Sequence, residues 1–176
     1  MNDYSGDEVA PMLENAPTLA SRGYYALTTI CPAVLTDVDM GAINQELGAM
    51  GFTDNPQIEH VPDLGNLRSV EAKLNDGIAK LGITDDRKFC AVMMGGDGAE
   101  NAFKGIRDFI PFVLEGTRTD SQLAEHAKQQ GSDLTRYVTP LENDSYYVLD
   151  FIDDRAVKPT SNLVVHARIL TASDGN

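Results

Sequence analysis

An unbroken apolar run extends from Phe89 to Met94 in this chain of 176 residues. A run of this length and composition is typical of a strand that is buried on both faces of a sheet. Four residues with turn chemistry follow it directly, and apolar residues at helical spacing come next. The segment therefore predicts a strand, a tight turn and a helix in the interior of a layered domain.

In the rest of the chain, the spacing of apolar residues indicates helices in some segments and strands in others. Apolar residues at steps of three and four predict three helices, a capping pattern predicts a fourth, weaker one, and alternation predicts strands towards the end of the chain. The predicted helices are a capped one after Thr36 with its stop at Gly51, one carrying the stripe Leu67, Val70, Leu74, Ile78 and Leu81, one over 102–113, and a weaker one over 119–131. The predicted strands are 24–34, 57–61, 89–94, 137–139, 147–151 and 163–170.

This order predicts an α+β fold with a mixed sheet. Helices that alternate with strands in the first part of the chain favour parallel neighbours, and the consecutive strands at the C-terminal end favour an antiparallel addition. Pro111 lacks an amide donor, so we expect it to kink or end the third helix. Residues 1–23 are polar and contain two prolines, which predicts an extended or flexible arm before a single domain over 24–176.

The formal net charge is −13. A chain this acidic is repelled by nucleic-acid phosphates and by anionic lipid, so we expect neither as a partner. Residues 1–6 lack a basic and apolar signal sequence, and no apolar run reaches the length of a membrane span. These features predict a cytoplasmic protein or one incorporated in a virion. Cys31 and Cys90 both lie in apolar stretches, which predicts two buried, reduced thiols.

The turn Gly95-Gly96-Asp97-Gly98 is the segment with the most chemical character. A strand that enters a glycine turn and opens a helix presents amide donors to an anion, with Asn101 one helical turn further on. These residues resemble the GGDGT loop of diacylglycerol kinases and NAD kinases, with Ala99 where that family has threonine. The resemblance implies that this loop holds nucleotide phosphate. The alternative is a structural turn in which Asp97 caps the helix.

The remaining polar residues form no recognised catalytic or metal-binding pattern. His60, His126 and His166 are not at ligand spacing, although His60 could in principle meet Cys90 as a base beside a nucleophile. His166 alternates with Arg168, which predicts the exposed face of a strand. The acidic pairs Asp85-Asp86 and Asp153-Asp154 lack calcium-loop spacing and are typical of solvated turns.

The first functional hypothesis is therefore a non-catalytic structural or assembly subunit, plausibly a phage-like head–tail or tail component of a virion. Its partners would be copies of itself or other assembly proteins, with no cofactor and no metal. In this hypothesis, Tyr4, Met12 and Leu13 anchor the arm on a neighbouring copy. The alternatives are an enzyme or sensor that binds a small phosphorylated molecule at Gly95 to Asn101, and an adaptor without either role.

Overall fold

The structure is a computed structural model that describes residues 17–119, 128–159 and 162–171. Within these residues, eight strands form one sheet in the order β1-β2-β3-β4-β8-β7-β6-β5, with three helical segments packed on it. Seven strands have five residues or more, and β5 is a three-residue strand at one edge. The strands are β1 Gln57–Val61, β2 Gly65–Leu74, β3 Gly77–Thr84, β4 Cys90–Gly95, β5 Thr117–Thr119, β6 Asp133–Pro140, β7 Ser145–Asp153 and β8 Leu163–Thr171.

The α+β class is confirmed, but the mixed sheet is wrong, because every strand pairing is antiparallel. The physical reason lies at residues 65–84. A helix there would have crossed over between parallel strands, whereas the chain makes a hairpin whose strands are antiparallel by geometry. The predicted strands at 57–61, 89–94, 137–139, 147–151 and 163–170 are confirmed by β1, β4, β6, β7 and β8.

The hairpin explains why the helical stripe was misread. Asn75 and Asp76 connect β2 to β3, and Val70 lies opposite Leu81 in the register. Leu67 and Ile78 have the opposite orientation, so the five residues of the stripe do not share one face. The spacing of three and four residues between the apolar side chains is a coincidence. It arises because two strands, each with alternating apolar residues, are joined by a short turn.

The first helix, α1, is a continuous helical segment where a strand had been predicted over 24–34. It consists of an α-helix Leu19–Tyr25, a π-helical stretch Ala26–Ile30 and an α-helix Cys31–Leu35. Pro32 has no amide to donate to Thr28, and the wider π turn lies just before it. The prediction failed because burial against the sheet outweighed the strand propensity of the β-branched and aromatic residues.

The beginning of α1 lies inside the segment predicted as an arm. Thr18 caps this helix, and Leu19 is completely buried. The backbone amide of Leu19 also donates to Asp76 Oδ1 at 2.9 Å. Residues 17–23 are therefore packed with the domain, whereas residues 1–16, which include Tyr4, Met12 and Leu13, lie outside the described residues.

The other two helices were predicted. Helix α2, Met40–Ala49, begins at Asp39, whose carboxylate accepts from the Ala42 amide, so Asp39 is the N-cap where Thr36 was expected. Gly51 follows the helix with a positive φ, as predicted. Helix α3 is Ala99–Leu114 with Pro111 in its last turn. Most of the predicted helix over 119–131 lies outside the described residues.

The helices and one face of the sheet enclose the hydrophobic core. Its members include Leu27 and Ile30 of α1, Ile106 of α3, and Val165 and Phe151 of the sheet. No helix among the described residues is long and apolar enough to cross a membrane.

A disulfide joins Cys31 of α1 to Cys90 of β4 within this core. Burial of both cysteines was correctly predicted, but the reduced state was wrong. Sequence reasoning treated the two residues separately, and only the packing of α1 on β4 brings their Cα atoms to 5.6 Å, within the range that a disulfide requires.

Candidate functional site: the helix-free face of the sheet

The second face of the sheet carries no helix among the described residues. Antiparallel pairing places alternate residues of each strand on this face, and we call it the helix-free face. The residues that pair across it from β2 to β6 run Ser69, Gly82, Ala91, His166, Asp150 and Arg136. None of these six belongs to the core cluster beneath the helices. The sheet therefore presents a broad surface that differs from the core in its chemistry.

An apolar band crosses the helix-free face. It consists of Met93, Val164, Ile152 and Leu134, which are directly paired across the four adjacent strands β4, β8, β7 and β6. All four are partly exposed. Because adjacent strands lie about 4.8 Å apart, the band is continuous over roughly 15 Å. A contiguous apolar strip in contact with water is typical of an interaction surface.

A row of charged residues lies beside the apolar band. Arg136 donates to both carboxylate oxygens of Asp150, at 2.6 and 2.8 Å, and Arg168 Nη2 lies 3.8 Å from the same carboxylate. Asp150 is only 6% exposed, and its hydrogen bond raises the pKa of Arg136. The bidentate geometry fixes the orientation of both side chains. This cluster therefore forms a rigid, charge-paired centre beside the apolar band.

His166 occupies the strand position between Ala91 and Asp150. Its ring meets Phe89 edge to face, with centroids 4.7 Å apart. Burial lowers the pKa of His166, with the nearby Arg168 acting in the same direction and the Asp150 carboxylate opposing it. The imidazole is therefore predominantly neutral at pH 7. His166 and Arg168 share one face of β8, as their alternation predicted, but both are partly buried where an exposed face was expected.

Charges on the helix-free face nearly balance. The register directs Lys73, Lys80, Arg136 and Arg168 to this face, against Glu59, Glu71 and Asp150. Four cations and three carboxylates give a net charge of +1, whereas the whole chain carries −13. The excess negative charge of the protein is therefore located elsewhere.

The Gly95–Gly98 turn lies at one end of β4, against the β2–β3 turn. The Gly98 amide donates to the carbonyl of Asp76 at 2.8 Å, and a Cβ on Gly98 would lie 2.7 Å from that oxygen. One of the amides that could face an anion is thus already bonded to protein. Gly98 is itself the N-cap of α3 without a side-chain bond, so the expected cap by Asp97 is wrong. Asp97 and Asn101 are exposed.

The other predicted polar sites remain apart. His60 is exposed on edge strand β1, with its Nδ1 3.4 Å from Asn66 Oδ1, while Cys90 is buried in the disulfide. The hypothesis of a His60–Cys90 nucleophile is therefore wrong. His126 lies outside the described residues. Among the residues that the structure describes, no group of three or more candidate ligands could hold a metal ion.

Both acidic pairs are held by local contacts. Asp85 accepts from Arg68 and Asn66, and Asp153 accepts two bonds from Arg155, which lower its pKa. The hydroxyl of Thr84 donates to Asp86 and lowers the pKa of that carboxyl. Asp85 and Asp86 lie in the turn after β3, as predicted, whereas Asp153 is the last residue of β7.

The described structure thus defines an α+β protein with helices on one face of an antiparallel sheet and a partly exposed apolar band, flanked by charged residues, on the other. No protein-family model, curated protein or solved structure matches the chain. Functional inference therefore depends on the chemistry of its own surfaces.

Sequence reasoning missed the apolar band and the charged centre. Tyr147, Leu149 and Phe151 were recognised as one alternating set, but Val148 and Ile152 in the other set are also apolar. When both sets of alternating residues in a strand are apolar, both faces of the sheet are expected to be covered at that strand. That signal could have predicted an interaction surface on the face without helices.

Proposed function

We propose that this chain is a non-catalytic structural subunit that associates with a second copy of itself through the helix-free face of the sheet. A phage-like virion is the kind of assembly that would contain such a subunit. The observation that carries the proposal is the apolar band Met93, Val164, Ile152 and Leu134, which is partly exposed and continuous over four strands. Burying such a surface is the main favourable contribution to association.

The charge distribution favours a face-to-face contact between copies. Two chains of charge −13 repel each other in most orientations. The helix-free face carries four cations against three carboxylates, so this orientation brings little net charge together. Two sheets can stack at about 10 Å with their side chains interdigitated. The paired Arg136 and Asp150 keep their partners on each copy.

The core disulfide supports a place of action outside a reducing compartment. Disulfides persist in secreted proteins and on particle surfaces and are rare in the reduced cytosol. Cys31 and Cys90 are both fully buried, as is typical of a structural crosslink. A virion component that is oxidised after assembly or release would fit this requirement.

Sedimentation velocity at several concentrations and salt levels tests the proposal. The wild-type chain should sediment above its monomer mass of 19.1 kDa, and more strongly in high salt, where charge repulsion is screened. Val164→Glu places a carboxylate in the apolar band and should return the protein to a monomer. Val113→Glu is the matched control, because Val113 is exposed on α3, away from this face.

A wild-type protein that stays monomeric at high concentration in all salt conditions would refute the proposal. Normal assembly of Val164→Glu would equally refute the assignment of this face. Ile152→Glu provides a second substitution in the same band if the first variant is poorly folded, and thermal melting of each variant checks its fold.

The phosphate-binding hypothesis competes with this proposal. It is weakened by the bond from the Gly98 amide to Asp76 and by the absence of threonine at Ala99. We expect millimolar ATP or NAD to leave the melting temperature unchanged. A clear rise that Asp97→Ala removes would favour the enzyme or sensor hypothesis instead.

A further inference from the structure

A cavity of about 420 Å³ lies between α2 and the β2–β3 hairpin, on the face of the sheet that the helices cover. This volume is within the range of roughly 300–1,000 Å³ typical of small-molecule sites. Its walls are mainly apolar, and the apolar side chains that line it are Met40, Leu47, Phe52, Pro56, Val70 and Ile83. The cavity is separate from the helix-free face and from the Gly95–Gly98 turn.

Gly48 of α2 is one of the residues that line this cavity. A Cβ built on Gly48 would have no atom within 4 Å, so close packing does not require glycine here. Glycine inside a helix is less stable than alanine by about 1 kcal/mol. Since Gly48 lines the cavity, a larger side chain at this position would project into the empty volume. Gly48 is exposed, so this position lies at the mouth of the cavity.

Arg68 supplies free donors at the rim of the cavity. Its Nε donates to Asp85 Oδ1 at 3.1 Å, and in the described part of the chain its two Nη groups have no protein partner. Arg87, in contrast, donates to the carbonyls of Val34, Ala33 and Val38 and so stabilises the wall. The rim carboxylates Asp54 and Asp85 are balanced by these two arginines. A ligand that is apolar at one end and accepts hydrogen bonds at the other matches this arrangement.

We propose that the cavity binds a small carboxylic acid with an apolar tail, such as a medium-chain fatty acid. The tail lies among Leu47, Phe52 and Val70, and the carboxylate accepts hydrogen bonds from the Nη groups of Arg68. The guanidinium is suited to this role because its planar fork matches a carboxylate. Binding here is independent of the proposed assembly, since no residue of the apolar band lines the cavity.

Calorimetric titration of the full chain with octanoate, and with octanol as the neutral match, tests the site. Octanoate should bind saturably, and octanol about tenfold more weakly, because it lacks the charge-assisted hydrogen bond. Arg68→Gln should remove this preference, while Arg155→Gln, whose arginine is outside the cavity, should not. Gly48→Leu should abolish binding by filling the cavity, and Gly48→Ala should raise the melting temperature and retain binding.

Amide shift mapping by NMR gives a second measurement that does not depend on a substitution. Octanoate should shift residues 44–56, together with Arg68, Val70 and Ile83. Absence of binding at millimolar octanoate, equal affinity for octanol, or shifts confined to other regions would overturn the inference. A change of sedimentation in Gly48→Leu without octanoate binding to the wild type would also overturn it, and would assign the cavity to the contact between copies. Monomeric protein that binds octanoate would refute only the assembly proposal.

Discussion

The disulfide between Cys31 and Cys90 allows a quantitative test of the fold. It closes a loop with a sequence separation of 59 residues, and in the chain-entropy model such a crosslink stabilises the folded state by about 4 kcal/mol. This is a large fraction of the roughly 5–15 kcal/mol that typical domains have in total. Substituting both cysteines by alanine should remove this stabilisation. Alanine is preferred to serine because both sites are completely buried and a hydroxyl would lack a partner.

Urea unfolding measures the effect. With a slope of about 2 kcal/mol per molar urea, a loss of about 4 kcal/mol lowers the midpoint by about 2 M. Unfolding of the wild type in the presence of a reductant distinguishes the stabilisation by the crosslink from the stabilisation by packing of the sulfur atoms. Its midpoint should lie close to that of Cys31→Ala/Cys90→Ala and well below that of the oxidised wild type.

Thiol alkylation decides whether the crosslink exists. Protein that has been denatured without reductant should gain no alkyl group, whereas protein reduced first should gain one at each cysteine. Labelling of both thiols before reduction would refute the disulfide and restore the sequence prediction of free thiols. Equal midpoints for the oxidised and reduced wild type would instead refute the loop-entropy argument.

Three further predictions concern packing and pH. Tyr147→Phe removes the buried bond from the Tyr147 hydroxyl to the carbonyl of Leu27 and should destabilise by about 1–3 kcal/mol in urea melts; an unchanged midpoint would contradict this geometry. Leu81→Ala should cost about 2–5 kcal/mol, whereas Ile78→Ala should cost far less, because Leu81 is 1% and Ile78 43% exposed; equal losses would favour the single buried stripe of a helix. Burial lowers the pKa of His166, so below about pH 6.5 the unfolded chain binds a proton at this residue more readily than the folded chain does. The free energy of unfolding of the wild type should therefore fall more steeply than that of His166→Gln as the pH decreases from 7 to 5. Parallel slopes for the two proteins would show that His166 is not desolvated.

The candidate site could be predicted only in part. The sequence placed His166 beside Arg168 on one set of alternating residues, and the register confirms that arrangement. The contact of Arg136 with Asp150 depends on the exact register of the β6–β7 hairpin, which strand periodicity alone does not determine. The same holds for the cavity, since α2 and the hairpin are separate in sequence and meet only through tertiary packing.

Local sequence determined the elements whose pattern permits one conformation. The continuous apolar run at Phe89 made β4 a central strand, and Gly51 marked the end of α2, although the N-cap was expected at Thr36 and lies at Asp39. In each case the local signal and the tertiary environment favour the same state. These segments therefore needed no long-range information to be recognised.

Tertiary structure decided the segments whose pattern fits two states. Residues 24–34 are rich in strand formers, yet burial on the sheet and the crosslink at Cys31 hold them in α1. Leu67 to Leu81 has helical spacing, yet the turn at Asn75-Asp76 folds it into a hairpin. Propensity differences amount to about 1 kcal/mol or less per residue, while burial of a large apolar side chain contributes about 1.5–3 kcal/mol. The free energy gained by burying apolar side chains is therefore larger than the difference in propensity, and it depends on contacts between residues far apart in the chain.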